Sequence, residues 1–503
     1  MDKQQIFLWS FLVLYVIIMF AVGIIEGRKS KSIADFTVGG RNAGAWLSAL
    51  SYGTAYFSAV MFVGYAGGTG LKFGLWGILA GIGNAIFGSW LAWKVLARRT
   101  RDVSGRLKLK TMPEFFEKRY QSRSLKTFAA VVIFIFMVPY SASVYKGLAS
   151  IAKILLHVDD TICMIVIAVV ALALLVFGGY LVQARADFIQ GIVMMFGVAL
   201  MIVFVVRCKA VGGLQGVLDY AKDPQHGFWK MGGKDWVTLM ATVLMTSFGT
   251  WGLPQMIQKY FGIKDDAQAK SGIKISTFFA FLVAGGGYFI GSLCHKFFTA
   301  DTMPPQDDIV PEMLKASNLP LILLGVVLVL LISASVSTLC SVTLTACSAV
   351  SIDLIRDRAK GMTDKKTATL TKILCALFVV CSYFVANTDT PILDMMSYSW
   401  GIISGSFLAP YVLALYYKKL NRVGAWCGVL TGFFIALVPA TAKVITMFNV
   451  TNETVTTLAG KGPLFACIAM AASLAVCFVV SELTQKAKAL DNDFFYTGVV
   501  EKE

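Results

Sequence analysis

The sequence alternates long apolar segments with short polar stretches. A helix needs about 20 consecutive, mostly apolar residues to cross the hydrocarbon core of a bilayer. By that criterion we predict thirteen membrane spans, numbered in chain order: 6–25, 45–66, 71–97, 126–156, 160–181, 187–207, 235–260, 273–297, 320–350, 369–387, 391–417, 423–446 and 462–482. Span 1 lacks the small-residue cleavage site of a signal peptide, so we expect it to remain as a helix. The pattern indicates an all-α polytopic membrane protein.

Composition supports this class and argues against several others. Hydrophobic residues make up 57% of the 503 positions and charged residues 15%, against about 25% charged residues in soluble domains. The cysteines include no C-x-x-C pair and the three histidines lie far apart, so neither a disulfide framework nor a metal cluster is indicated. We find no nucleophile–base pair and no phosphate-binding loop, so the chain is not predicted to be an enzyme.

The net charge of +16 is concentrated in alternate loops. This distribution indicates how the chain is oriented in a membrane and argues against a nucleic-acid partner. Basic residues are concentrated after spans 1, 3, 7, 9 and 11, whereas the turns 157–160 and 387–390 contain no Lys or Arg. Because cytoplasmic loops are enriched in Lys and Arg, we predict the N-terminus outside and the C-terminus inside. The segment 207–234, with five basic residues, argues weakly against this orientation.

Two spans carry residues that interrupt helices. Span 2 contains Gly53, Gly64, Gly67 and Gly68, and span 7 contains the stretch TSFGTWGLP. Backbone that leaves the helical conformation at membrane depth is tolerated only where it is buried or lines a cavity. Spans 2 and 7 stand five apart, as the first members of two five-span halves. Paired interruptions at corresponding positions are typical of an inverted-repeat transporter with its site at the midplane.

Span 9 carries a stripe of small and hydroxyl side chains on one helical face, at i, i+3, i+4 spacing: Ala334, Ser337, Thr338, Ser341, Thr345 and Ser348. A face of uncharged oxygens offers ligands to a small hard cation such as Na⁺. Close helix packing through small residues is the alternative, and the stripe alone favours it. The interruptions in spans 2 and 7 shift the balance towards a cation site.

Several stretches resemble the sodium:solute symporter family, and the similarity runs through the whole chain. They are DFTVGGRNAGAWLSALS (35–51), GGYLVQARADFIQG (178–191), FGTWGLPQ (248–255), SASVSTLCS (333–341), SIDLI (351–355) and SYSWG (397–401). The family includes transporters of proline, pantothenate, sugars, sialic acid and monocarboxylates. The motifs are therefore specific for the family and much less specific for the solute.

The resemblance implies a five-plus-five inverted-repeat (APC/LeuT-like) core. On this chain, residues 1–44 would form a peripheral helix and a cytoplasmic loop, and 45–210 the first core repeat with spans 2–6. Residues 235–417 would form the second repeat with spans 7–11, and 418–503 two peripheral helices with a short cytoplasmic tail. We also expect a multi-pass location in the cell inner (plasma) membrane, within the lipid bilayer, and a functional monomer.

The resemblance also implies a sodium site between the first and eighth core helices, here spans 2 and 9. Carried over by position, the ligands are the backbone carbonyls of Thr54, Phe57 and Ala334 and the hydroxyls of Ser337 and Thr338. The chemistry is suitable, because a broken helix exposes carbonyls that an intact helix keeps hydrogen-bonded. Na⁺ is therefore the expected coupling ion and the one metal that we predict.

Asp187 is the only acid near the start of span 6. An acid within a membrane segment is a functional hypothesis by default, and the plain alternative is a helix N-cap beside Arg185. In relatives that bind two sodium ions, this position and later hydroxyls of the helix equivalent to span 9 form the second site. Ser341 fits that pattern, but Cys340 replaces one of the hydroxyls. Asp187 and Ser341 are thus candidates for a second sodium site or a proton site.

Candidate solute contacts come from spans 2, 4, 7 and 11: Tyr56, Ser58, Tyr140, Lys146, Thr250, Trp251, Tyr398 and Trp400. Tyr140 matches a tyrosine of the proline branch of the family. Tyr56 stands where that branch has an Asp, and the stretch 54–64 is closer to the pantothenate and monocarboxylate branch. For each aromatic residue, packing within the bundle or anchoring at the membrane interface is as plausible as contact with the solute.

Lys146 lies inside span 4, where an ammonium group needs a partner or water. One hypothesis is that it faces the cavity and pairs with a solute carboxylate or with an acid elsewhere in the chain. The other is that its long side chain reaches towards the membrane interface.

Together these features predict sodium-coupled secondary active symport by alternating access. The cargo would be a small organic solute, a carboxylate or an amino acid, of the pantothenate/monocarboxylate or proline class. A proton-coupled transporter with Asp187 as the carrier, and a solute sensor on the same fold, are the alternatives. A channel is not favoured, because the sequence contains no repeated filter-like loop.

Overall fold

The computed structural model describes residues 3–27, 33–359, 361–448, 452–488 and 493–496. The predicted loop after span 1 and the predicted C-terminal tail therefore lie partly outside the described residues. Within those ranges the chain is helical, with one isolated bridge between Ala43 and Ile263 and no β-strand.

The principal helices are α1 (Lys3–Gly27), α2 (Ala45–Tyr56), α3 (Gly67–Phe73), α4 (Arg123–Leu156), α5 (Asp160–Arg207), α6 (Gly233–Phe248), α7 (Pro254–Phe261), α8 (Asp266–Ala280), α9 (Leu321–Ser348), α10 (Asp364–Ala386), α11 (Ile392–Tyr416), α12 (Arg422–Met447) and α13 (Gly462–Lys488). π-Helical segments adjoin several helices, at Met61–Ala66, Asn84–Leu91, Trp93–Ala97, Phe281–Gly285 and Ala349–Arg356. Shorter helices lie at Ile33–Val38, Ile78–Gly83, Arg98–Arg106, Met112–Tyr120, Gly213–Ala221, Gly286–Ser292, Ile309–Ala316, Glu453–Ala459 and Asp493–Tyr496.

Ten helices of the described chain are long and apolar enough to cross a membrane, or eleven if the bent pair α6–α7 counts as one span. α5 covers predicted spans 5 and 6, and Gly179 within it has a positive φ of 58° that an L-residue with a side chain rarely adopts. The apolar helix before this glycine, Thr161–Val176, is shorter than a full span. The count of thirteen spans and the orientation of the termini stay predictions.

The first interruption lies between α2 and the turns that lead to α3. α2 ends because Phe57 has an extended backbone (φ −106°, ψ 107°), although its N–H still donates to the carbonyl of Gly53. None of the four glycines of span 2 stands at the break: Gly53 lies within α2, Gly64 lies within a helical turn, and Gly67 and Gly68 begin α3. Conformation at Phe57, rather than a helix-breaking residue type, therefore exposes the carbonyls of span 2.

The second interruption lies between α6 and α7, which are bent by 42°. A tight turn at Gly249–Trp251 follows α6, Leu253 is extended, and Pro254 begins α7 in the first helical turn, where its missing N–H costs nothing. The TSFGTWGLP stretch thus breaks the helix where the sequence predicted.

Burial separates central from peripheral helices. In the most apolar stretch of each span, 78% of the residues are buried for the span that contains α9 and 89% for α11. The corresponding shares are 22% for α1 and 33% for α13. α9 packs against α4, α5 and α1, and it also contacts α2. The two interruptions and the hydroxyl stripe of α9 therefore lie in the interior of the bundle.

Candidate functional site

The hydroxyl of Thr338 links α9 to the interrupted end of α2. It donates to the carbonyl oxygen of Thr54 at 3.1 Å and to that of Ala334, one turn earlier on α9, at 3.0 Å. All three residues are fully buried. Three of the five predicted sodium ligands are thus together, and they supply the neutral oxygens that a small hard cation takes from a broken helix.

The other two predicted ligands border this group. Phe57 is buried and is the residue at which the helical backbone ends. Ser337 is adjacent to Thr338, but its hydroxyl donates to Oδ1 of Asp187 at 2.7 Å. A contact that we did not predict joins the same two segments, since the N–H of Ala59 donates to the hydroxyl of Ser335 at 3.2 Å.

Asp187 lies in the protein interior and is surrounded by donors. Besides Ser337, the hydroxyl of Ser51 donates to its Oδ2 at 2.5 Å and the ammonium of Lys259 lies 3.0 Å from that oxygen. The side chains of Asp187 and Lys259 are 0% and 2% exposed. Arg185, by contrast, is half exposed and lies 3.9 Å from Glu26. Asp187 therefore belongs to a buried cluster rather than to a simple helix cap.

Lys259 on α7 is the member of this cluster that sequence reasoning missed. Its ammonium donates to Ser51 at 2.8 Å and lies 5.0 Å from the centre of the Tyr180 ring. When the Gln183 amide is oriented with its oxygen towards Lys259, it accepts from the ammonium at 3.1 Å and from the backbone N–H of Ser341 at 3.1 Å. The sequence did contain a signal for this ion pair, because Lys259 is a single basic residue in predicted span 7 and Asp187 a single acid in span 6.

Ser341 joins the cluster through Gln183, whose amide group contacts the Ser341 hydroxyl. The predicted pair of Asp187 and Ser341 is therefore brought together by Gln183 and Lys259. We call Ser51, Gln183, Asp187, Lys259, Ser337 and Ser341 the ion-pair cluster.

Aromatic side chains from α4 and α11 meet near the second interruption. The rings of Tyr140 and Trp400 are 5.6 Å apart and perpendicular, and Tyr56 lies 6.2 Å from Trp400. The Tyr140 hydroxyl also faces Gln255, the second residue of α7. We call Tyr56, Tyr140, Gln255 and Trp400 the central group.

The central group contains buried polar atoms without a hydrogen-bond partner among the described residues. These are the hydroxyl of Tyr140, the indole N–H of Trp400 and both amide atoms of Gln255, and the Tyr140 hydroxyl faces the other two groups at more than hydrogen-bonding distance. Each such group left unpaired costs about 1–3 kcal/mol. Their concentration beside the interruption of α6–α7 indicates a site for a polar ligand.

Other predicted solute residues are engaged with backbone carbonyls. The hydroxyl of Tyr56 donates to Thr246 at 2.6 Å, that of Thr250 to Ser247 at 2.9 Å, and the indole of Trp251 to Phe87 at 2.9 Å. The hydroxyl of Ser58 accepts from the N–H of Val60 at 3.2 Å. These contacts fix the two interruptions relative to their neighbours.

Tyr398 and Lys146 make their hydrogen bonds to residues outside the central group. The Tyr398 hydroxyl donates to the carbonyl of Ala459 at 2.9 Å. The Lys146 ammonium is half-buried and donates to the carbonyls of Thr388 and Thr390, both at 2.8 Å. Both hypotheses for Lys146 therefore stay open, since the ammonium bonds loop carbonyls and also has an acid, Asp307, nearby.

Asp307, which lies outside the spans, is a neighbour of Lys146. Burial raises the pKa of the Asp307 carboxyl, and a hydrogen bond from the Ile392 N–H and the charge of Lys146 partly offset that shift.

Replacing Lys146 with Met is therefore expected to leave the half-saturating solute concentration within about twofold of wild type. The thermal midpoint should fall, because two carbonyls lose a charged donor worth about 1.5–3 kcal/mol. Uptake kinetics and thermal unfolding of the same preparation check both parts. A tenfold weaker solute affinity with unchanged stability would instead place the ammonium at the solute.

A cavity of about 730 Å³ opens at the end of the bundle where α6, α11 and α13 begin. Its wall carries one acid, Asp394, and three lysines, Lys72, Lys234 and Lys461. It also includes Thr242, one turn of α6 before the carbonyl that binds Tyr56. The cavity thus extends from a basic entrance towards the central group.

Comparison with known proteins agrees with this architecture. The model of the sodium:solute symporter family matches residues 36–432. The osmoregulated proline transporter OpuE of Bacillus subtilis is 28% identical over 441 residues, 84% of this chain and 87% of that protein. The high-affinity proline transporter PutP of the same organism is 25% identical over 434 residues, 84% of this chain and 90% of that protein.

A solved structure shares the fold. It is the substrate-bound outward-open state of a Na⁺-coupled sialic acid symporter, with a TM-score of 0.77 and 15% identity over 96% of this chain and 98% of that one. The chain therefore has the helical fold of a sodium-coupled symporter, and it is a multi-pass protein of the plasma membrane. Because the family match spans most of its length, the chain belongs to the sodium:solute symporter family.

Proposed function

We propose that this protein couples the inward movement of Na⁺ to the import of a small solute that carries a carboxylate. The observation that carries this proposal is the contact between the Thr338 hydroxyl and the Thr54 carbonyl, across the interruption of α2. A cation placed between these oxygens would hold α2 against α9. Each Na⁺ that crosses contributes about 2.3 kcal/mol per 100 mV of membrane potential, in addition to its concentration gradient.

The proposed sodium site lies at the interruption of α2, and Tyr56 links it to the central group beside the interruption of α6–α7, which gives the coupling a physical basis. Tyr56 precedes the interrupted residue of α2 and donates to the α6 carbonyl of Thr246. A cation that fixes the end of α2 would therefore also fix Tyr56 and the central group. Alternating access then follows if the ion and the solute favour the same conformation more strongly together than separately.

The chemistry of the central group supports a carboxylate as the recognised group. Its donors are a phenol, an indole and an amide that face one another and make no hydrogen bond among the described residues. Donors of this kind bind an anionic oxygen with about 1.5–3 kcal/mol each. The cavity wall carries three lysines against one acid, and this excess of positive charge would raise the local concentration of an anion.

Proline is the first solute to test, since the relatives named above are proline transporters. Pantothenate, lactate, pyruvate and sialic acid are the other candidates, and all five carry a carboxylate. Reconstituted protein should accumulate one or more of them under an inward Na⁺ gradient, with choline as the replacement cation. Accumulation under a pH gradient alone, with Na⁺ absent, would contradict sodium coupling and favour a proton-coupled transporter.

Replacing Tyr140 with Phe is expected to raise the half-saturating solute concentration about tenfold, because one hydrogen bond to a charged group is lost. The sodium dependence at saturating solute should stay near wild type. Tyr145→Phe is a matched control, since it removes another buried hydroxyl of α4 that has no partner within the part of the chain that the structure describes. Equal effects of the two variants would mean that Tyr140 acts through packing and does not bind the solute.

A further inference from the structure

The ion-pair cluster surrounds a buried carboxylate beside the proposed sodium site. Asp187 accepts from the hydroxyls of Ser51 and Ser337, and the remaining donor is the ammonium of Lys259. Hydroxyl, amide and carboxylate oxygens around one point are the ligands of a small hard cation. In this chain that point is occupied by the end of a lysine side chain.

The ammonium is fully satisfied there. It has three N–H groups. With the Gln183 amide oxygen oriented towards it, the cluster offers three acceptors: Ser51 at 2.8 Å, Asp187 at 3.0 Å and Gln183 at 3.1 Å. Lys259 and Asp187 are both buried, so their charges compensate each other within the protein. A mobile cation is therefore not required to neutralise Asp187.

The cluster is continuous with the proposed sodium site. Ser51 lies one helical turn before Thr54 on α2, and the Thr54 hydroxyl donates to the Ser51 carbonyl at 3.3 Å. Ser337 precedes Thr338 on α9. A charge at the cluster thus acts on the same two helices that the sodium ion would join.

We propose that the Lys259 ammonium is a tethered cation that takes the place of a second sodium ion at Asp187, so that this protein carries one Na⁺ per solute. The proposal rests on the proposed function and deepens it by setting the ion stoichiometry. Because the ammonium is covalently attached, it supplies the charge in every conformation and is not released with the cargo.

The test uses the full-length protein, first as wild type. Binding of ²²Na⁺ to the purified protein should saturate at about one ion per chain, and uptake should depend on Na⁺ with a Hill coefficient near one. Two bound ions per wild-type chain would overturn the proposal without any mutation. Absence of sodium-stimulated uptake would refute the proposed function itself, which keeps the two failures distinct.

Lys259→Met then removes the charge and keeps a flexible side chain of similar length. We expect a second ²²Na⁺ to bind, the Hill coefficient to rise towards two, and the thermal midpoint to increase with Na⁺ more steeply than in wild type. One bound ion and an unchanged Hill coefficient in a folded Lys259→Met protein would contradict the proposal.

The double variant Asp187→Asn/Lys259→Met removes both charges, and we expect it to return to one bound ion. We also expect the double variant to fold, because it leaves no uncompensated buried charge in the cluster. If the double variant binds two ions, the second site does not involve Asp187 and the proposal fails. Lys146→Met is the control for loss of a positive charge elsewhere, and it should keep one ion and a Hill coefficient near one.

Discussion

Replacing Thr338 with alanine is expected to raise the sodium concentration for half-maximal uptake by about tenfold or more. The variant loses the one side-chain oxygen that contacts both the Thr54 and the Ala334 carbonyls. An interaction of an oxygen ligand with a charged partner is worth about 1.5–3 kcal/mol, and each 1.4 kcal/mol corresponds to a factor of about ten in affinity. Solute affinity measured at saturating Na⁺ should change little. Sodium titration of uptake in proteoliposomes measures both constants.

Thr345→Ala is the matched control for this prediction. Thr345 lies two helical turns further along α9, and its hydroxyl also donates one buried hydrogen bond, to the amide oxygen of Gln258 at 2.6 Å. The control should keep the wild-type sodium dependence. A Ser337→Ala/Thr338→Ala protein that retains the wild-type sodium requirement would show that the ion binds elsewhere.

Replacing Gly291 with alanine is expected to destabilise the protein by about 3 kcal/mol or more. A Cβ at this position would lie 2.2 Å from the carbonyl oxygen of Ala66 and 2.4 Å from its carbonyl carbon. Overpacking usually costs about 1–3 kcal/mol, and here the obstacle is backbone, which cannot rotate away. The helix that continues α8 and the segment leading into α3 would have to separate. Uptake should be lost with the fold, and the thermal midpoint in detergent should fall sharply.

Gly285→Ala is the control within the same membrane-spanning run, because a Cβ there meets no heavy atom of the described residues within 4 Å. It should be neutral or stabilising by about 0.5–1 kcal/mol, since glycine is less favourable than alanine inside a helix. Similar stability of the two variants would refute the close backbone contact between these segments.

The sequence was sufficient for the helical class and for one of the two interruptions. Apolar length identifies spans, and Pro254 begins a new helix after the Gly-rich TSFGTWGLP turn, which is a local effect. The first interruption has no such residue. It depends on the extended conformation of Phe57, which is held by contacts with α9 such as that of Ala59 with Ser335. The glycines of span 2 therefore indicated an interruption without locating it, and it lies between Gly53 and Gly64.

The candidate site was predicted in part for a similar reason. Thr54, Ala334 and Thr338 came from position within a family pattern, and the structure places them together. Lys259 was missed because its partner lies 72 residues away in the chain, a separation that no local pattern spans. Gln255, whose amide has no partner among the described residues, was also missed, because an amide near a helix start does not by itself indicate a ligand.

Transport of one Na⁺ per solute is tested most directly by the reversal point of solute flux in proteoliposomes at zero membrane potential and zero pH gradient. With a tenfold inward Na⁺ gradient, we expect net solute uptake to stop when the internal solute concentration is about ten times the external one. A hundredfold limit would indicate two ions and contradict the role of Lys259. Equal internal and external solute at the reversal point would show that Na⁺ does not drive transport.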